Sequence, residues 1–475
     1  MNTSRRHFLR AASGITAASA GALAQPFCTP LAMSLAGIGS IAAHNANAAD
    51  TSNGYRALVC LFMDGGNDSH NWVVPTDPSG YAEYASARGG LALPVDALSP
   101  ITSSGQDAGR NFGMPTELQP LRNWYETGHA AIVANVGTLV QPVTKKDYMA
   151  GRNLPSKLFS HNDQKSTWQS LLPEGAPSGW GGRMGDILMS ANQQPVFTAV
   201  STFGNAVFLS GSKVTQYQVA RSGPVSVRSL AGSHFMGSNT AGGILKRSVA
   251  SSGSTAFQAE YARVVQRAMA SDGVLRTALA GTSIPAIPAT KIRLPAGEET
   301  LNNNELAQQL YMVSKLIAAG QSMGMRRQIF MVRVTGFDTH SSQMEAQPVL
   351  MSRVAHSIDY FLSSMNSIGM LNNVLLFTAS DFGRTLTTNG DGSDHGWGSH
   401  HFVVGGGVKG RKIYGRFPVT ALNTEDDIGS GRLLPGIAVT ELAATLGGWM
   451  GLSSTDLSYV LPTLSNFSNQ NIGFV

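Results

Sequence analysis

The sequence predicts an α/β protein built on a mostly parallel β-sheet, and three observations support this fold class. Short apolar runs rich in Val, Ile, Leu and Phe recur along the chain, as in strands that are buried on both faces. Segments of helical periodicity separate most of these runs. Acidic residues directly follow several of the runs, and the ligand sites of parallel sheets lie beyond the carboxyl ends of their strands.

Apolar runs predict the strands of this sheet, and helices are expected to cover both of its faces. The predicted strands span residues 56–63, 130–136, 195–200, 328–334, 374–379 and 402–404. Helical patterns begin at residue 115 and cover residues 303–324, 352–365 and 439–446. Residues 204–299 are instead rich in Ser, Gly, Ala and Thr, and we predict that they form a polar insertion at the cap or rim of the domain.

The first 48 residues have the features of an export signal rather than of a folded segment. Residues 4–10 contain a twin-arginine pattern, a long and mildly apolar stretch follows, and residues 46–48 form a cleavage site. A glutamine and two prolines interrupt the apolar stretch, which argues against a stable membrane anchor. We therefore expect the twin-arginine machinery to export residues 49–475 to the periplasm or the extracellular space.

The composition excludes several kinds of partner and site. With 42% hydrophobic and 13% charged residues, the chain is an ordinary globular protein. The formal net charge is +5, and because Arg5, Arg6 and Arg10 lie in the signal, about +2 remains on the mature domain. No basic run interleaved with aromatic residues occurs, so we expect no nucleic-acid partner. Cys28 leaves with the signal and Cys60 then stands alone, which excludes an internal disulfide and a thiolate metal site.

A loop between the last two predicted strands gives the strongest chemical signal. Its segments 380–384 and 394–401 together contain two aspartates and three histidines. These side chains bind hard or borderline divalent cations, and a strand–loop–strand setting lets them converge on one point. We predict that Asp381, His395 and His400 bind metal. His400 and His401 should face opposite sides of a strand, and His400 is chosen as the ligand.

Two further strand ends carry candidate ligands. Asp338 and His340 are two residues apart, so in extended chain both side chains can point at one cation. Taken alone, Asp338 and His340 could be an exposed acid and a core histidine in a turn. Together with the candidate ligands of the 381–401 loop, they favour a metal site. Asp64 ends the first predicted strand, and the glycines after it allow a close backbone approach. The alternative for this segment is a simple Asp/Asn/Gly turn.

Ser160 is the candidate nucleophile. It precedes a predicted helix, whose N-terminal N–H groups and dipole stabilise an anion. Ser160 could equally be the N-cap of that helix, with Asp163 completing a capping box, and the two roles are compatible. Arg384 could grip phosphate or sulfate oxygens, or it could pair with a nearby carboxylate. We predict that Asn67, His161 and Arg384 contact the substrate.

The motifs at residues 62–68, 336–340, 380–385, 394–398 and 446–452 resemble those of the alkaline phosphatase superfamily, which includes sulfatases. More narrowly, the chain is similar to a bacterial family of twin-arginine-exported proteins known only as a domain of unknown function. The resemblance implies an α/β/α sandwich and two divalent cations, which could be zinc, manganese, magnesium or calcium. In that scheme one cation is held by Asp338, His340 and His400, and the other by Asp64, Asp381, His395 and the nucleophile. Phe382 departs from the superfamily pattern, which commonly has histidine at this position.

The resemblance implies an exported metal-dependent hydrolase of phosphate or sulfate esters, acting on a small-molecule or polymer substrate. Ser160 would attack phosphorus or sulfur and form a covalent intermediate. Two alternatives remain open at this point. The protein could be a non-catalytic member that binds a cell-surface polymer, or a metal-free serine esterase that uses Ser160 with a histidine. The triplet Gly66-Asn67-Asp68, which also occurs in serine esterases of the lipase type, agrees with the second alternative.

Overall fold

The computed structural model describes residues 54–224, 238–251, 255–294, 297–301 and 303–475. The predicted export signal, residues 1–48, lies outside these described residues. The described chain has a mixed α/β fold whose central sheet is mostly parallel, which confirms the predicted fold class.

Sixteen strands occur within the described residues, and nine of them form the central sheet. In chain order the strands are β1 (Arg56–Asp64), β2 (Val74–Pro75), β3 (Leu98–Ile101), β4 (Phe112–Pro115), β5 (Ala130–Gly137), β6 (Ala199–Ser201), β7 (Tyr217–Gln218), β8 (Thr290–Leu294), β9 (Gly297–Leu301), β10 (Arg327–Thr335), β11 (Val374–Ser380), β12 (Arg384–Thr388), β13 (Ser393–His395), β14 (Ser399–Val404), β15 (Ile413–Tyr414) and β16 (Ile437–Ala438).

The central sheet has the strand order β15–β5–β14–β11–β1–β10–β6–β7, and β16 also pairs with β5. β1 lies at its centre, parallel to both β10 and β11. β14 is the exception, because it runs antiparallel to its two neighbours β11 and β5. The loop that leaves the carboxyl end of β11 therefore returns to the amino end of β14 at the same edge of the sheet. This topology keeps the whole 381–398 segment at one edge.

Eleven α-helices lie within the described residues, and those that pack on the central sheet cover both of its faces. They are α1 (Pro78–Arg88), α2 (Gln119–Glu126), α3 (Lys145–Met149), α4 (His161–Ser170), α5 (Trp180–Leu188), α6 (Asn239–Ala250), α7 (Ala256–Ala280), α8 (Glu305–Gly320), α9 (Gln343–Ser367), α10 (Val439–Met450) and α11 (Ser454–Val460). The side chains of β1 alternate between two hydrophobic clusters. One cluster includes residues of α2, α8 and α9, and the other includes residues of α5, α10 and α11.

Most predicted strands and helices are confirmed, and the differences have local causes. The strand predicted over 195–200 is wrong in its first half, where Pro195–Phe197 form a 3-10 turn and β6 begins only at Ala199. Proline has no N–H to donate to a strand ladder, and the Thr198 hydroxyl donates to Pro195 O instead (2.7 Å). The helix predicted from residue 352 begins earlier, at Gln343.

Residues 204–299 contribute β7, α6, α7, β8 and part of β9, so this region is more regular than its composition indicates. Its placement as a cap or rim remains a prediction. None of the described helices has the length and apolar character needed to span a bilayer.

His401 is a buried imidazole and the third residue of β14. Its Nδ1 lies 3.3 Å from the Thr378 hydroxyl, and Trp168 packs against its ring edge-on. Burial lowers the pKa of His401 to about 3. The unfolded chain takes up a proton below about pH 6.5, whereas the folded chain does not. The free energy of unfolding is therefore highest, with respect to this group, above pH 6.5, and it decreases as the pH falls from 6.5 towards 3.

We expect His401→Asn, which keeps a hydrogen-bond acceptor near the position of Nδ1, to make the fold less sensitive to acid. Between pH 6.5 and 5, the free energy of unfolding of the wild type should fall by about 2 kcal/mol more than that of the variant. Urea unfolding at both pH values, with a chelator present so that metal binding makes no contribution, measures this difference. Equal falls in the two proteins would show that His401 does not titrate between the two states.

Candidate metal centre

The carboxyl ends of three parallel strands bring three predicted acidic residues to one edge of the sheet. Asp64 ends β1, Asp338 follows β10 and Asp381 follows β11. Hydrogen bonds join the three segments: Phe337 N donates to Asp64 O (3.2 Å), and Gly65 N donates to Asp381 Oδ1 (3.3 Å). Residues that are hundreds of positions apart in sequence thus become neighbours.

Gly65 is required for this close approach. Its φ is +121°, a conformation that side chains with a Cβ rarely adopt, and a Cβ at this position would lie 2.4 Å from Asp338 N. The glycine after Asp64 therefore has a steric role in bringing β1 against the Asp338 segment.

Three histidines and one carboxylate meet at this edge, and we call His161, Asp338, His340 and His395 the His–Asp cluster. Ligand atoms of His161, Asp338 and His395 all lie within 4.8 Å of one another. Asp338 Oδ1 lies 3.1 Å from His340 Nε2 and 3.5 Å from His395 Nε2. Asp338 Oδ2 lies 3.4 Å from His161 Nε2, which forms no hydrogen bond with any of the described residues.

The second nitrogen of each imidazole in the cluster faces an oxygen. The pairs are His161 Nδ1 with Asp381 Oδ2 (2.7 Å), His395 Nδ1 with Phe159 O (2.7 Å) and His340 Nδ1 with Asp394 Oδ1 (3.4 Å). The oxygens opposite His161 and His395 can only accept, so the Nδ1 of each of these two rings carries a proton. Metal-binding histidines characteristically have this arrangement.

The contact between His340 and His395 joins two imidazole nitrogens. Their Nε2 atoms are only 2.8 Å apart. A hydrogen bond from one ring to the other satisfies this contact when one Nε2 is protonated, and a cation satisfies it when neither is. The three imidazoles and the carboxylate therefore fit a divalent cation, since three nitrogens and one oxygen form a common donor set for zinc and related metals.

The charges of Asp338 and His395 agree with a ligand role, whereas the shift at His161 favours its protonated form in the absence of a cation. The hydrogen bond to Asp381 raises the pKa of His161. Burial lowers the pKa of His395, and the charges of His161 and Arg384 act in the same direction. Partial burial tends to raise the pKa of Asp338, but the hydrogen bond and charge of Arg384 outweigh it and hold the pKa of Asp338 below its usual value. Asp338 is thus a carboxylate and His395 a neutral imidazole at neutral pH, which are the forms that bind metal.

Phe382 packs against two of the imidazoles. Its ring centroid lies 4.8 Å from that of His161 and 4.6 Å from that of His395. This buried aromatic ring thus contacts two candidate ligands.

Asp64 reaches the same edge but is not part of the His–Asp cluster. One of its oxygens pairs with the Lys165 ammonium, and the other lies 3.4 Å from Arg333 Nη1. Lys165 lies one turn after His161 in α4, so a single helix supplies both a cluster histidine and the cation that neutralises Asp64. The Asp64 carboxylate is satisfied by side chains of the protein.

Arg384 and Asn67 are buried, and their contact with substrate remains a prediction. Arg384 is fully buried, and its Nη1 donates to Asp338 Oδ1 (2.9 Å). This is the pairing with a nearby carboxylate that the sequence left open, and it orients Asp338. Asn67 is 1% exposed; its backbone N donates to Ser380 Oγ, while its side-chain amide has no hydrogen-bond partner among the described residues.

His400 is not brought into the cluster. Asn135 N donates to His400 Nδ1 (3.0 Å), and the ring stacks on Phe417 with centroids 4.3 Å apart. Burial lowers the pKa of His400 well below its ordinary value. Both His400 and His401 are buried because β14 is an interior strand with helices on both faces, so alternation along the strand could not identify a ligand.

Ser160 is the N-cap of α4, as one of its two predicted roles requires, but its hydroxyl does not bond to the helix backbone. It donates instead to Asp163 Oδ2 (2.9 Å). Ser160 stands between Phe159, whose carbonyl orients His395, and His161 of the cluster. The residue before it, Phe159, has a φ of +71°, a strained conformation for a bulky side chain. The serine is thus held next to the cluster by two of its sequence neighbours.

The fold and the cluster together define a mixed α/β protein with a candidate metal centre at the carboxyl edge of a mostly parallel sheet. The chain belongs to the family described as "Protein of unknown function (DUF1501)", whose profile matches residues 55–462. No curated protein matches it.

Several solved structures match this chain at low similarity. A sulfatase from Pseudoalteromonas sp. has 10% sequence identity and a TM-score of 0.34, over 89% of this chain and 73% of that chain. A structure from work on the metabolism of glycosaminoglycans by Bacteroides thetaiotaomicron has 10% identity and a TM-score of 0.33, over 85% and 74%. A complex of Ps i-CgsB with a neocarrahexaose has 9% identity and a TM-score of 0.33, over 88% and 78%. Likeness at this level says nothing about the site or activity of this chain.

Proposed function

We propose that this protein is an exported metal-dependent hydrolase of phosphate or sulfate esters whose His–Asp cluster holds one divalent cation. The facing Nε2 atoms of His340 and His395, beside the carboxylate of Asp338, carry the proposal. When bound, such a cation polarises the ester oxygens and stabilises the charge that develops during displacement.

One cation rather than two is supported by the surroundings of Asp64. In the two-cation scheme Asp64 would be a ligand of the second metal, but Lys165 and Arg333 already neutralise it. Asp381, another ligand in that scheme, accepts from His161 Nδ1 and so orients a ligand instead. An ammonium and a guanidinium group thus already balance the charge of the Asp64 carboxylate.

Ser160 is the proposed nucleophile and Asp163 its base. The hydroxyl already donates to Asp163 Oδ2, so the carboxylate can take up the proton as Ser160 Oγ bonds to phosphorus or sulfur. The bond from phosphorus or sulfur to the ester oxygen breaks, and that oxygen takes the proton from Asp163 and leaves as the alcohol. Water then attacks phosphorus or sulfur, gives one proton to Asp163, and releases phosphate or sulfate as Ser160 Oγ recovers that proton. The hydroxyl has no hydrogen bond to a histidine among the described residues, so the metal-free esterase alternative has less support.

Export through the twin-arginine pathway to the periplasm or the extracellular space is part of the same proposal, and it rests on the pattern in residues 4–10. This pathway carries folded proteins, which suits a domain whose ligands come from three separate chain segments and meet only after folding.

A panel of chromogenic phosphate monoesters, phosphate diesters and sulfate esters tests the activity. We expect the metal-loaded wild type to turn over at least one class, and Ser160→Ala to lower kcat by about a thousandfold or more, because a lost nucleophile leaves only binding and electrostatic stabilisation. Ser190→Ala, which removes an exposed serine from a 3-10 turn, is the matched control and should leave kcat unchanged. Turnover of none of the three classes by metal-loaded protein, or equal turnover by Ser160→Ala and wild type, would refute the proposal.

A further inference from the structure

A cavity of about 770 Å³ lies at the same edge of the sheet, on the side of β6 and β7. This volume is in the range of ligand-binding sites. The charged and aromatic residues of its lining are Phe203, Arg221, Glu305, Arg333 and Arg353. Three arginines against one glutamate give the lining an excess of positive charge.

The three arginines differ in their ion-pair and hydrogen-bond partners. Arg221 Nη1 lies 2.9 Å from Glu305 Oε1, so these two charges neutralise each other. Arg333 stacks over the Phe203 ring at 4.8 Å and also approaches Asp64. Arg353 has no carboxylate within 4 Å in the part of the chain that the structure describes, and its Nε is buried without a hydrogen-bond partner. A buried guanidinium donor without an acceptor is costly, and an oxyanion ligand would satisfy it.

Arg333 joins this cavity to the surroundings of the His–Asp cluster. Its guanidinium lines the cavity and lies 3.4 Å from Asp64 Oδ2. The backbone of Asp64, in turn, accepts a hydrogen bond from Phe337, the residue before the cluster's Asp338. A ligand long enough to pass Arg333 could therefore occupy both places.

We propose that the cavity binds a second oxyanion group, a carboxylate, sulfate or phosphate, of an extended substrate whose reactive ester lies at the His–Asp cluster. The planar fork of Arg353 matches two oxygens of such a group. The inference rests on the proposed hydrolase function and adds a substrate class to it: the natural substrate carries at least two anionic groups. Small esters with one anionic group use the cluster alone.

Binding of fluorescently labelled polymers to metal-free mature protein tests the cavity without hydrolysis. The probes are oligogalacturonate for carboxylate, sulfated dextran for sulfate and polyphosphate for phosphate, with neutral dextran as the uncharged control. We expect at least one anionic probe to bind, neutral dextran not to bind, and Arg353→Gln to weaken the anionic binding about tenfold or more, since a charged hydrogen-bonded contact is lost. The probe that binds best identifies the oxyanion.

Arg411→Gln is the matched control, because it removes the same charge from an exposed site beside β15, at the other end of the strand order. It should change affinity less than about twofold, as expected for screened surface charge. Arg353→Lys keeps the positive charge but lacks the planar guanidinium, so it should bind the anionic probes with intermediate affinity. This variant replaces Arg353→Gln in the test if Arg353→Gln does not fold. Binding of no probe, or equal losses in the Arg353 and Arg411 variants, would overturn the inference.

The two proposals fail separately. If the ester panel shows turnover and the polymers do not bind, the cavity inference is wrong and the hydrolase stands. If the polymers bind through Arg353 and no ester is hydrolysed, the hydrolase is wrong, and the cavity is an oxyanion site of a binding protein. When both hold, Arg353→Gln should raise KM for a polymer ester by a larger factor than KM for small esters.

Discussion

Asp338→Asn is expected to abolish metal binding, with occupancy falling from about one equivalent to less than about 0.2, because the only carboxylate of the donor set is lost. The asparagine has nearly the same shape, so packing around Gly65 and Arg384 should persist. Elemental analysis of mature protein purified without chelator and then loaded with zinc or manganese measures the occupancy.

His129→Gln is the control for a lost imidazole, because His129 precedes β5 and so lies at the opposite, amino-end edge of the sheet. Its occupancy should equal that of the wild type. Wild-type protein that binds less than about half an equivalent of any divalent metal would remove the basis of the metal centre.

Two other acidic residues distinguish one cation from two. If Asp64 is neutralised by Lys165 and Arg333, Asp64→Asn should leave the stoichiometry at about one, whereas a two-cation site would lose one equivalent. Asp381→Asn should keep the stoichiometry but weaken affinity by about ten- to a hundredfold, as is usual for a residue that orients a metal-binding histidine. The same measurement on three variants thus assigns each acid a role.

The sequence was most informative where the pattern was local. Asp338 and His340 are two residues apart after a strand, and strand ends bring Asp64 and Asp381 to the same edge, so their convergence follows from the sheet alone. His161 was expected to contact substrate, and its place among the candidate ligands could not be foreseen. It comes from a helix that follows a long loop after β5, and no strand pattern fixes where such a helix docks.

The long side chains of Lys165 and Arg333 explain why the surroundings of Asp64 were not predicted. Lys165 and Arg333 neutralise Asp64 through long flexible stems, and neither spacing nor composition predicts which carboxylate such a cation meets. The signal that could have indicated Lys165 is its helical spacing, four residues after His161, which places both side chains on one face of α4.

Asp68 belongs to the Gly66-Asn67-Asp68 triplet that also occurs in serine esterases, but its surroundings point to stability. Its carboxylate forms a fully buried ion pair with Arg88 of α1 and accepts from Gln343 of α9 and from His70 N. Arg88 also donates to the carbonyls of Thr385 and Leu386 in β12. The pair therefore ties two helices and β12 to the segment that follows β1, beneath the His–Asp cluster.

Arg88→Met is expected to lower the free energy of unfolding by about 3–5 kcal/mol, because it leaves the Asp68 carboxylate buried without its counter-charge. Adding Asp68→Leu should recover part of that loss, since two apolar side chains leave no uncompensated charge in the interior. Urea unfolding of the wild type, the two single variants and the double variant forms a complete cycle, and a coupling energy clearly different from zero is expected for residues in direct contact. A loss below about 1 kcal/mol for Arg88→Met is the value of an exposed pair and would mean that water reaches this ion pair.

Metal occupancy of the folded variants provides the second readout. Because Arg88 holds the strand that begins at Arg384, and Arg384 orients Asp338, weakening the pair should also lower affinity for the cation.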